Sequence, residues 1–330
     1  MLDTTRTVMP RIAAAFSAIA LAGTALTACS NDDSNNANNG NAGDPDELTL
    51  ALVPSQDQND LVNTAKPLTD YLTKELGITV NGVVSKDYQA AVEAIGADQA
   101  QIGFLPSLQM YQANDKYDAV PILQTERDGN ITYPAQFMTN NPDKYCEDEV
   151  AEKDGYTFCN GADADQGPAG LDSISKMEGA KVSVLGPGSP AGYIYPMLAL
   201  KKEGFDLDND IEQVPVTAND ASVLAVYNGD AEVGFSFWDA REIVDDQPDV
   251  GEKVTVFALT EEIPNDGVVV SAKLSEELQE KISEALQKLA DTPEGQDTLE
   301  LVYSITDLAP ADPSTLDVVA EAANELGLDQ

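Results

Sequence analysis

From Leu48 onward the chain switches repeatedly between two hydrophobic rhythms. Leu48-Thr49-Leu50-Ala51-Leu52-Val53 is a β-rich run closed by Pro54-Ser55, residues 61–76 carry helix spacing up to Gly77, and residues 78–84 are strand-like again. Strand and helix patterns alternate through most of the chain, which predicts an α/β fold with largely parallel sheets. Three amphipathic segments, at residues 275–289, 293–302 and 313–326, close the pattern, with Ser275 and Asp312 placed as helix starts.

One stretch of this pattern occurs twice. Ala90-Ala91-Val92-Glu93-Ala94-Ile95 followed by Ala100-Gln101-Ile102-Gly103-Phe104 matches Ala221-Ser222-Val223-Leu224-Ala225-Val226 followed by Ala231-Glu232-Val233-Gly234-Phe235, at one constant offset and without a gap. Each copy reads as a helix, a polar turn and a buried strand, with Asp87-Tyr88 and Asn219-Asp220 as capping candidates. Helix–turn–strand units look alike, so the match has a plain explanation. The sharper one is two similar lobes facing each other, each offering a helix N-terminus at the carboxyl edge of its strands, where ligands of open α/β sheets gather.

The most specific local motif follows the strand-like Lys181-Val182-Ser183-Val184-Leu185. In Gly186-Pro187-Gly188-Ser189-Pro190-Ala191-Gly192-Tyr193, Ser189 suits the N-cap and Pro190 the first helical position. Flanking glycines let a ligand approach the backbone, and free N–H groups at such an end attract phosphate or carboxylate. No Gly-Lys-Ser/Thr follows, so this is not a P-loop, and an ordinary well-capped turn is the alternative. Pro196 is expected to kink or shorten the helix.

Ahead of the body lies a different pattern. Residues 12–26 are apolar, follow Arg6 and Arg11, and end in Leu26-Thr27-Ala28-Cys29. The run is short of the roughly 20 residues a spanning helix needs. Small residues just before a cysteine mark a lipoprotein signal, with residues 1–28 removed and Cys29 acylated. An uncleaved anchor or an ordinary signal peptide is the rival reading. Residues 29–47, mostly Ser, Asn, Asp, Gly and Ala, bury too little to fold and are expected as a disordered tether. The mature protein is therefore expected on the extracytoplasmic face of the cell membrane, lipid-anchored.

Composition narrows the chemistry. Cys146 and Cys159 remain as an even pair in an oxidising compartment, which predicts a disulfide around Asp154-Gly155. The chain has no histidine, so a zinc site and histidine-dependent catalysis are not expected, and no metal or cofactor is assigned. Acidic residues number 58 against 18 basic, and Arg127 and Arg241 are the only arginines after the signal. Nucleic acid is thereby excluded as a partner. An anionic ligand would have to be held by neutral donors and helix ends.

At Asp87-Tyr88, Ser189-Pro190-Ala191-Gly192-Tyr193-Ile194-Tyr195-Pro196, Asn219-Asp220-Ala221-Ser222 and Gly234-Phe235-Ser236-Phe237-Trp238-Asp239-Ala240-Arg241 the chain resembles the phosphate/phosphite/phosphonate-binding proteins of ABC transporters. Val53-Pro54-Ser55-Gln56 and Lys66-Pro67-Leu68 are also in pattern. The resemblance implies a two-lobed, type II periplasmic-binding-protein fold with a hinge of two connecting strands. Lobe 1 would take residues 48–135 and 259–330, and lobe 2 residues 136–258 with the Cys146–Cys159 loop. A small anion would bind between the lobes of a monomer, and closure would present it to the transmembrane subunits of an ABC permease.

The resemblance also assigns residues. The family's phosphonate-holding tyrosine falls on Tyr133 and its serine on Ser189, with Pro190, Ala191, Gly192 and Ser55 completing the anion end. The usual threonine after that serine is Pro190 here, and the usual histidine is Asn219, which can donate but carries no charge. Both departures point toward phosphite, a phosphate ester or a differently shaped anion. The cation end of aminoalkylphosphonate binders falls on Tyr88, Asp239 and Asp266. Two carboxylates in one cleft repel unless a cation intervenes, which favours a zwitterionic solute. For Asp266 a turn role competes, and for Asp239 a local pair with Arg241. Trp238, Tyr193 and Ser107 are candidate pocket walls. A ligand-sensing lipoprotein that partners a membrane receptor, or a binder of another small zwitterionic or anionic nutrient, remains the alternative. An enzyme using Asp239 and Asp266 lacks any signalled nucleophile.

Overall fold

The computed structural model describes residues 43–328 apart from Asp165 and Asp245, so the expected signal segment, Cys29 and most of the tether lie outside the described residues. The chain opens with β1 (Glu47–Leu52), α1 (Gln58–Thr64), α2 (Lys66–Leu76), β2 (Thr79–Val84), α3 (Tyr88–Gly96), β3 (Ile102–Leu105), α4 (Ser107–Tyr117) and β4 (Val120–Glu126). It then builds β5 (Thr132–Thr139), α5 (Pro142–Tyr145), β6 (Ala151–Lys153), β7 (Tyr156–Phe158) and β8 (Lys181–Val184). These are followed by α6 (Tyr195–Lys202), β9 (Glu212–Pro215), α7 (Asn219–Asn228), β10 (Val233–Phe237), α8 (Val250–Lys253) and β11 (Thr255–Pro264). The last part is β12 (Gly267–Val270), α9 (Glu276–Ala290), α10 (Pro293–Tyr303), β13 (Asp307–Pro310) and α11 (Asp317–Glu325).

Two sheets result, in the orders β13-β4-β12-β3-β1-β2 and β6-β7-β11-β5-β10-β8-β9. Their centres have the same plan. β1 runs parallel to β2 and β3, with Leu50 opposite Gly82 and Ile102. β8 runs parallel to β9 and β10, with Val182 opposite Gln213 and Val233. An antiparallel strand then flanks each third strand, β12 beside β3 and β5 beside β10. The repeated sequence segment occupies equivalent places: α3 leads into β3 in one sheet and α7 into β10 in the other.

The chain passes between the sheets at residues 127–131 and again at 265–266. The two passages hold each other. Asn265 donates its backbone N–H to Ile131 O at 2.9 Å, and its side-chain amide to Thr125 O at 2.8 Å and Asn130 O at 2.9 Å. β5 and β11 pair antiparallel from Thr139/Thr255 to Thr132/Pro264, so the expected boundaries at residues 135 and 259 fall inside these strands.

The first sheet buries one apolar cluster and the second two, and a further one joins the sheets. Leu108 of α4, Ile194, Leu198 of α6, Ile263 of β11 and Val319 and Ala323 of α11 pack together, so the last helix touches elements of both halves. Sequence signals account for many element ends. Gly77 closes α2 at φ 68°, and Ser275 Oγ caps α9 by accepting from Leu278 N at 3.2 Å.

Several details differ from the pattern reading. The helix expected over residues 61–76 is two helices, with Pro67 in the first turn of the second. The segment after Ser189 is a π-type turn over Pro190–Ile194 before α6 begins, with Pro196 in the first turn of α6. The tether ends earlier than expected, because Asp44 already accepts from Ser275 N at 2.7 Å and from Ser275 Oγ at 2.6 Å. Cys146 and Cys159 form the expected disulfide, around a β6–β7 hairpin turned by Asp154 and Gly155 at φ 54° and 87°. Among the described residues no helix is long and apolar enough to cross a membrane.

Candidate functional site

Six junctions that follow parallel strands carry most of the sequence-predicted site residues. Ser55 follows β1, Tyr88 follows β2 and Ser107 follows β3; Ser189 follows β8, Asn219 follows β9, and Trp238 with Asp239 follows β10. In open α/β sheets these carboxyl ends are where ligands bind.

Direct bonds join the two sets. Ser55 O accepts both the backbone N–H of Asn219, at 3.1 Å, and its side-chain amide, at 2.9 Å. Gln109 of α4 donates to Gly188 O at 3.0 Å. A Cβ on Gly188 would lie 2.8 Å from Tyr88 Cβ, so only glycine lets this turn rest on Tyr88. A cavity of 370 Å³ lies along this seam, lined in part by Asp87, Tyr88, Gln109, Gln112, Gly186 and Gly188.

Behind the seam stand the buried Tyr88 and Tyr303 and the half-buried Tyr133. Burial pushes Tyr88 up to about 12, with neighbouring Asp266 adding and a hydrogen bond with Ser189 opposing. Burial, and then Asp266, also push Tyr133 up, while Arg127 opposes. Tyr303 is raised by burial and by Asp266; its hydroxyl donates to Val53 O at 3.0 Å and lies beside Ser55. All three hydroxyls are therefore neutral hydrogen-bonding groups at ordinary pH. Ser189 Oγ accepts from Gly192 N at 3.0 Å, and Ala191 and Pro190 are buried behind it. Gly192 has its own steric reason, since a Cβ there would lie 2.6 Å from Leu185 Cδ1. Ser107 is buried at the start of α4, with no protein partner for Oγ.

The carboxylates are differently placed from the sequence expectation. Asp266 Oδ1 takes Arg127 Nη2 at 2.8 Å, and the same guanidinium donates to Tyr303 O at 2.8 and 3.1 Å. Asp239 is bound on both oxygens by Arg241, at 2.9 Å from Nε and 2.5 Å from Nη2. Arg241 also donates to Thr157 O at 2.9 Å and Val254 O at 2.6 Å, and lies 4.6 Å over the Phe158 ring. The repulsion that seemed to require a cationic ligand is thus answered within the protein, one guanidinium to each carboxylate. Of the wall candidates, Trp238 packs on Phe158 with ring centroids 5.3 Å apart. Tyr193 is raised by burial and by nearby Asp208, and packs against the cores on either side of its turn.

Gln109, Arg127, Tyr195 and Tyr303 join this constellation without having been assigned from sequence. Tyr195 lies inside the quoted motif, but nothing local marks the others: the Arg127–Asp266 pair spans 139 positions.

Two sheets of one plan, with polar strand ends joined across a seam, describe a bilobal binding protein. The chain belongs to the family of ABC transporter phosphonate periplasmic substrate-binding proteins, whose model matches residues 50–316. It is 27% identical over 235 residues to the phosphate-import protein PhnD of Mycolicibacterium smegmatis, covering 69% of this chain and 65% of that relative's length. It is 21% identical over 257 residues to the phosphonates-binding periplasmic protein of Escherichia coli, covering 77% of this chain and 69% of that one. Among solved structures it is similar to PhnD1 from Prochlorococcus marinus in complex with methylphosphonate, with a TM-score of 0.71, 15% identity and coverage of 86% and 99%. A binding protein component of an ABC phosphonate transporter from Pseudomonas aeruginosa gives a TM-score of 0.69 at 16% identity, over 84% and 85% of the two chains. These structures share the type II binding-protein fold with this chain.

Proposed function

We propose that this protein is the extracytoplasmic, lipid-anchored solute-binding component of an ABC importer, and that it captures a small phosphorus oxyanion as a monomer. One observation carries the reading: Tyr88, Ser107 and Ser189 stand just past the carboxyl ends of parallel strands from both sheets, with Tyr133 near Tyr88 and the Ser55–Asn219 clasp joining the two sets. Residues 127–131 and 265–266 would form the hinge between the lobes, whose closure a permease would read. A phosphonate, phosphite or phosphate ester fits a cleft supplied with neutral donors and a helix start at Ser189.

A positive charge on the solute is not required, because Arg127 and Arg241 already face Asp266 and Asp239. Phosphate import by one named relative and phosphonate binding by another support the solute class.

Melting-temperature shifts across phosphonates, phosphite, phosphate, phosphate esters and amino-acid-like zwitterions test the proposal. At least one phosphorus oxyanion should stabilise the folded protein in proportion to its saturation. Ser189→Ala and Tyr133→Phe should each weaken it roughly tenfold or more. A panel with no response, or a response confined to zwitterions without phosphorus, would overturn it.

A further inference from the structure

Asn219 was expected to offer its amide to the anion, yet the structure uses that donor elsewhere. Nδ2 points at Ser55 O, 2.9 Å away, and the backbone N–H of the same residue reaches the same oxygen. A carbonyl oxygen only accepts, so the orientation of the amide is fixed and Oδ1 is the atom left over. Asn219 is 3% exposed, and Oδ1 is buried with no hydrogen-bond partner in the protein. A buried acceptor left without a donor is costly, and such an atom calls for something to complete it.

We propose that Asn219 Oδ1 accepts a hydrogen bond from a hydroxyl on the bound phosphorus oxyanion, so that the site selects the singly protonated form over the fully ionised one. The proposal rests on the phosphorus-oxyanion reading above. It follows from a mismatch of atoms: a fully ionised oxyanion brings only acceptors, and one of them would meet the lone pairs of Oδ1. A single P–OH removes that conflict and leaves the other oxygens for Ser107, Tyr88, Tyr133 and the Ser189 turn. The departure from histidine at this position would then exchange a group able to carry charge for one that tests whether a proton is present.

The composition makes the test unusually direct. Histidine is the side chain that normally titrates near neutrality, and this chain has none. Cys146 and Cys159 are joined in a disulfide, and Tyr88 and Tyr303 are raised above their ordinary range by burial. The charged groups near Asn219 and on elements packed against α7 include Asp57, Asp220, Glu242, the Arg241–Asp239 pair, Lys181 of β8 and the Asp249–Lys253 pair at Tyr227. Glu242 is raised by burial, with Asp239 adding, and Glu242→Gln serves as its control.

The experiment measures the affinity of the full chain for methylphosphonate and for inorganic phosphate between about pH 6 and about pH 9. Above the second ionisation of methylphosphonate its affinity should fall roughly tenfold per pH unit, in wild type and in Glu242→Gln alike, whereas inorganic phosphate keeps one P–OH as its dianion and should hold its affinity over the same range. Methanesulfonate has the shape and single charge of protonated methylphosphonate but no hydroxyl; it should bind roughly ten- to hundredfold more weakly. Asn219→Leu should lose the pH slope whatever its absolute affinity. If that variant does not fold, the wild-type profile and the sulfonate comparison decide alone. Methylphosphonate affinity that stays flat or rises across its second ionisation, phosphate affinity that falls as steeply, or a sulfonate bound as tightly would overturn the Asn219 assignment while leaving the solute class standing. Absence of binding by either phosphorus ligand at every pH would overturn both.

Discussion

Helices α3 and α7 hold matching places in the two sheets, and their first turns are finished in opposite ways. Asp87 caps α3, accepting from Ala90 N at 2.7 Å. Ala218 precedes α7 in the same extended conformation, φ −152° and ψ 166°, and has no side chain to cap with. The first helix end is satisfied inside its own half; the second is turned toward Ser55 and the seam. A carboxylate cap takes up a first-turn N–H of α3, whereas α7 carries its carboxylate, Asp220, inside the first turn and has no side-chain cap. The second half therefore supplies an uncapped helix end and the Ser189 turn, while the tyrosine hydroxyls come from both halves, Tyr88 from the first and Tyr195 from the second.

The largest expected effect concerns those hydroxyls, which both halves provide. Burial raises Tyr88 and Tyr195 from 10.0 to about 12. The unfolded chain ionises first, so their contribution is intact below pH 10 and lost as pH rises through 12. The loss should approach about 1.4 kcal/mol per pH unit for each tyrosine in that window. Denaturant titrations at successive pH values, beside ultraviolet titration of tyrosinate, check it. Stability that stays level above pH 10.0 would show that these hydroxyls are not held neutral.

Next come the two ion pairs. Arg241 is fully buried and Arg127 is not, with side-chain exposures of 0% and 27%. Arg241→Met should cost about 3–5 kcal/mol by stranding Asp239, and Asp239→Leu in the same chain should restore much of it. Arg127→Met should cost less, being partly screened, and should disturb ligand binding more. Equal losses of stability would erase the contrast. The Cys146–Cys159 link belongs to the second half alone; replacing both by serine should cost about 3 kcal/mol in chemical denaturation.

The smallest change in stability is also the sharpest test of the opening comparison. Asp87→Ala should cost about 1 kcal/mol and spare the anion, whereas Ala218→Asp should add up to about 1 kcal/mol by capping α7. The same Ala218→Asp change should lower anion affinity roughly tenfold or more by placing a second carboxylate, beside Asp220, at that helix end. Calorimetry of binding alongside thermal melts separates the two effects. If Ala218→Asp bound the anion as tightly as wild type, the asymmetry between the halves would have no bearing on the ligand.

Local signals explain what could be read beforehand. Ser189, Ser275 and Asp312 cap where their patterns place them, because a cap needs only neighbours three or so residues away. The repeated helix–strand segment located equivalent elements in both sheets, since both copies must fill the same kind of layer. Pairings across sequence could not be read. Nothing near Asp266 announces Arg127, and nothing near Asn219 announces the Ser55 carbonyl that takes its amide. The charge-balance argument over Asp239 and Asp266 loses its premise: Arg241 takes Asp239 in the local pair the sequence offered as the alternative, and Arg127 reaches Asp266 from far along the chain. Strand β13 escaped notice because its four residues, ending in Pro310, are too few to show a period.

The sequestering of both guanidiniums has a kinetic side. With a formal charge of −40 and no arginine turned outward at the cleft, the surrounding field pushes a negative solute away before any contact is made. Added electrolyte shortens the reach of that repulsion. Capture by this protein should therefore quicken in brine, where encounters guided by opposite charges slow down.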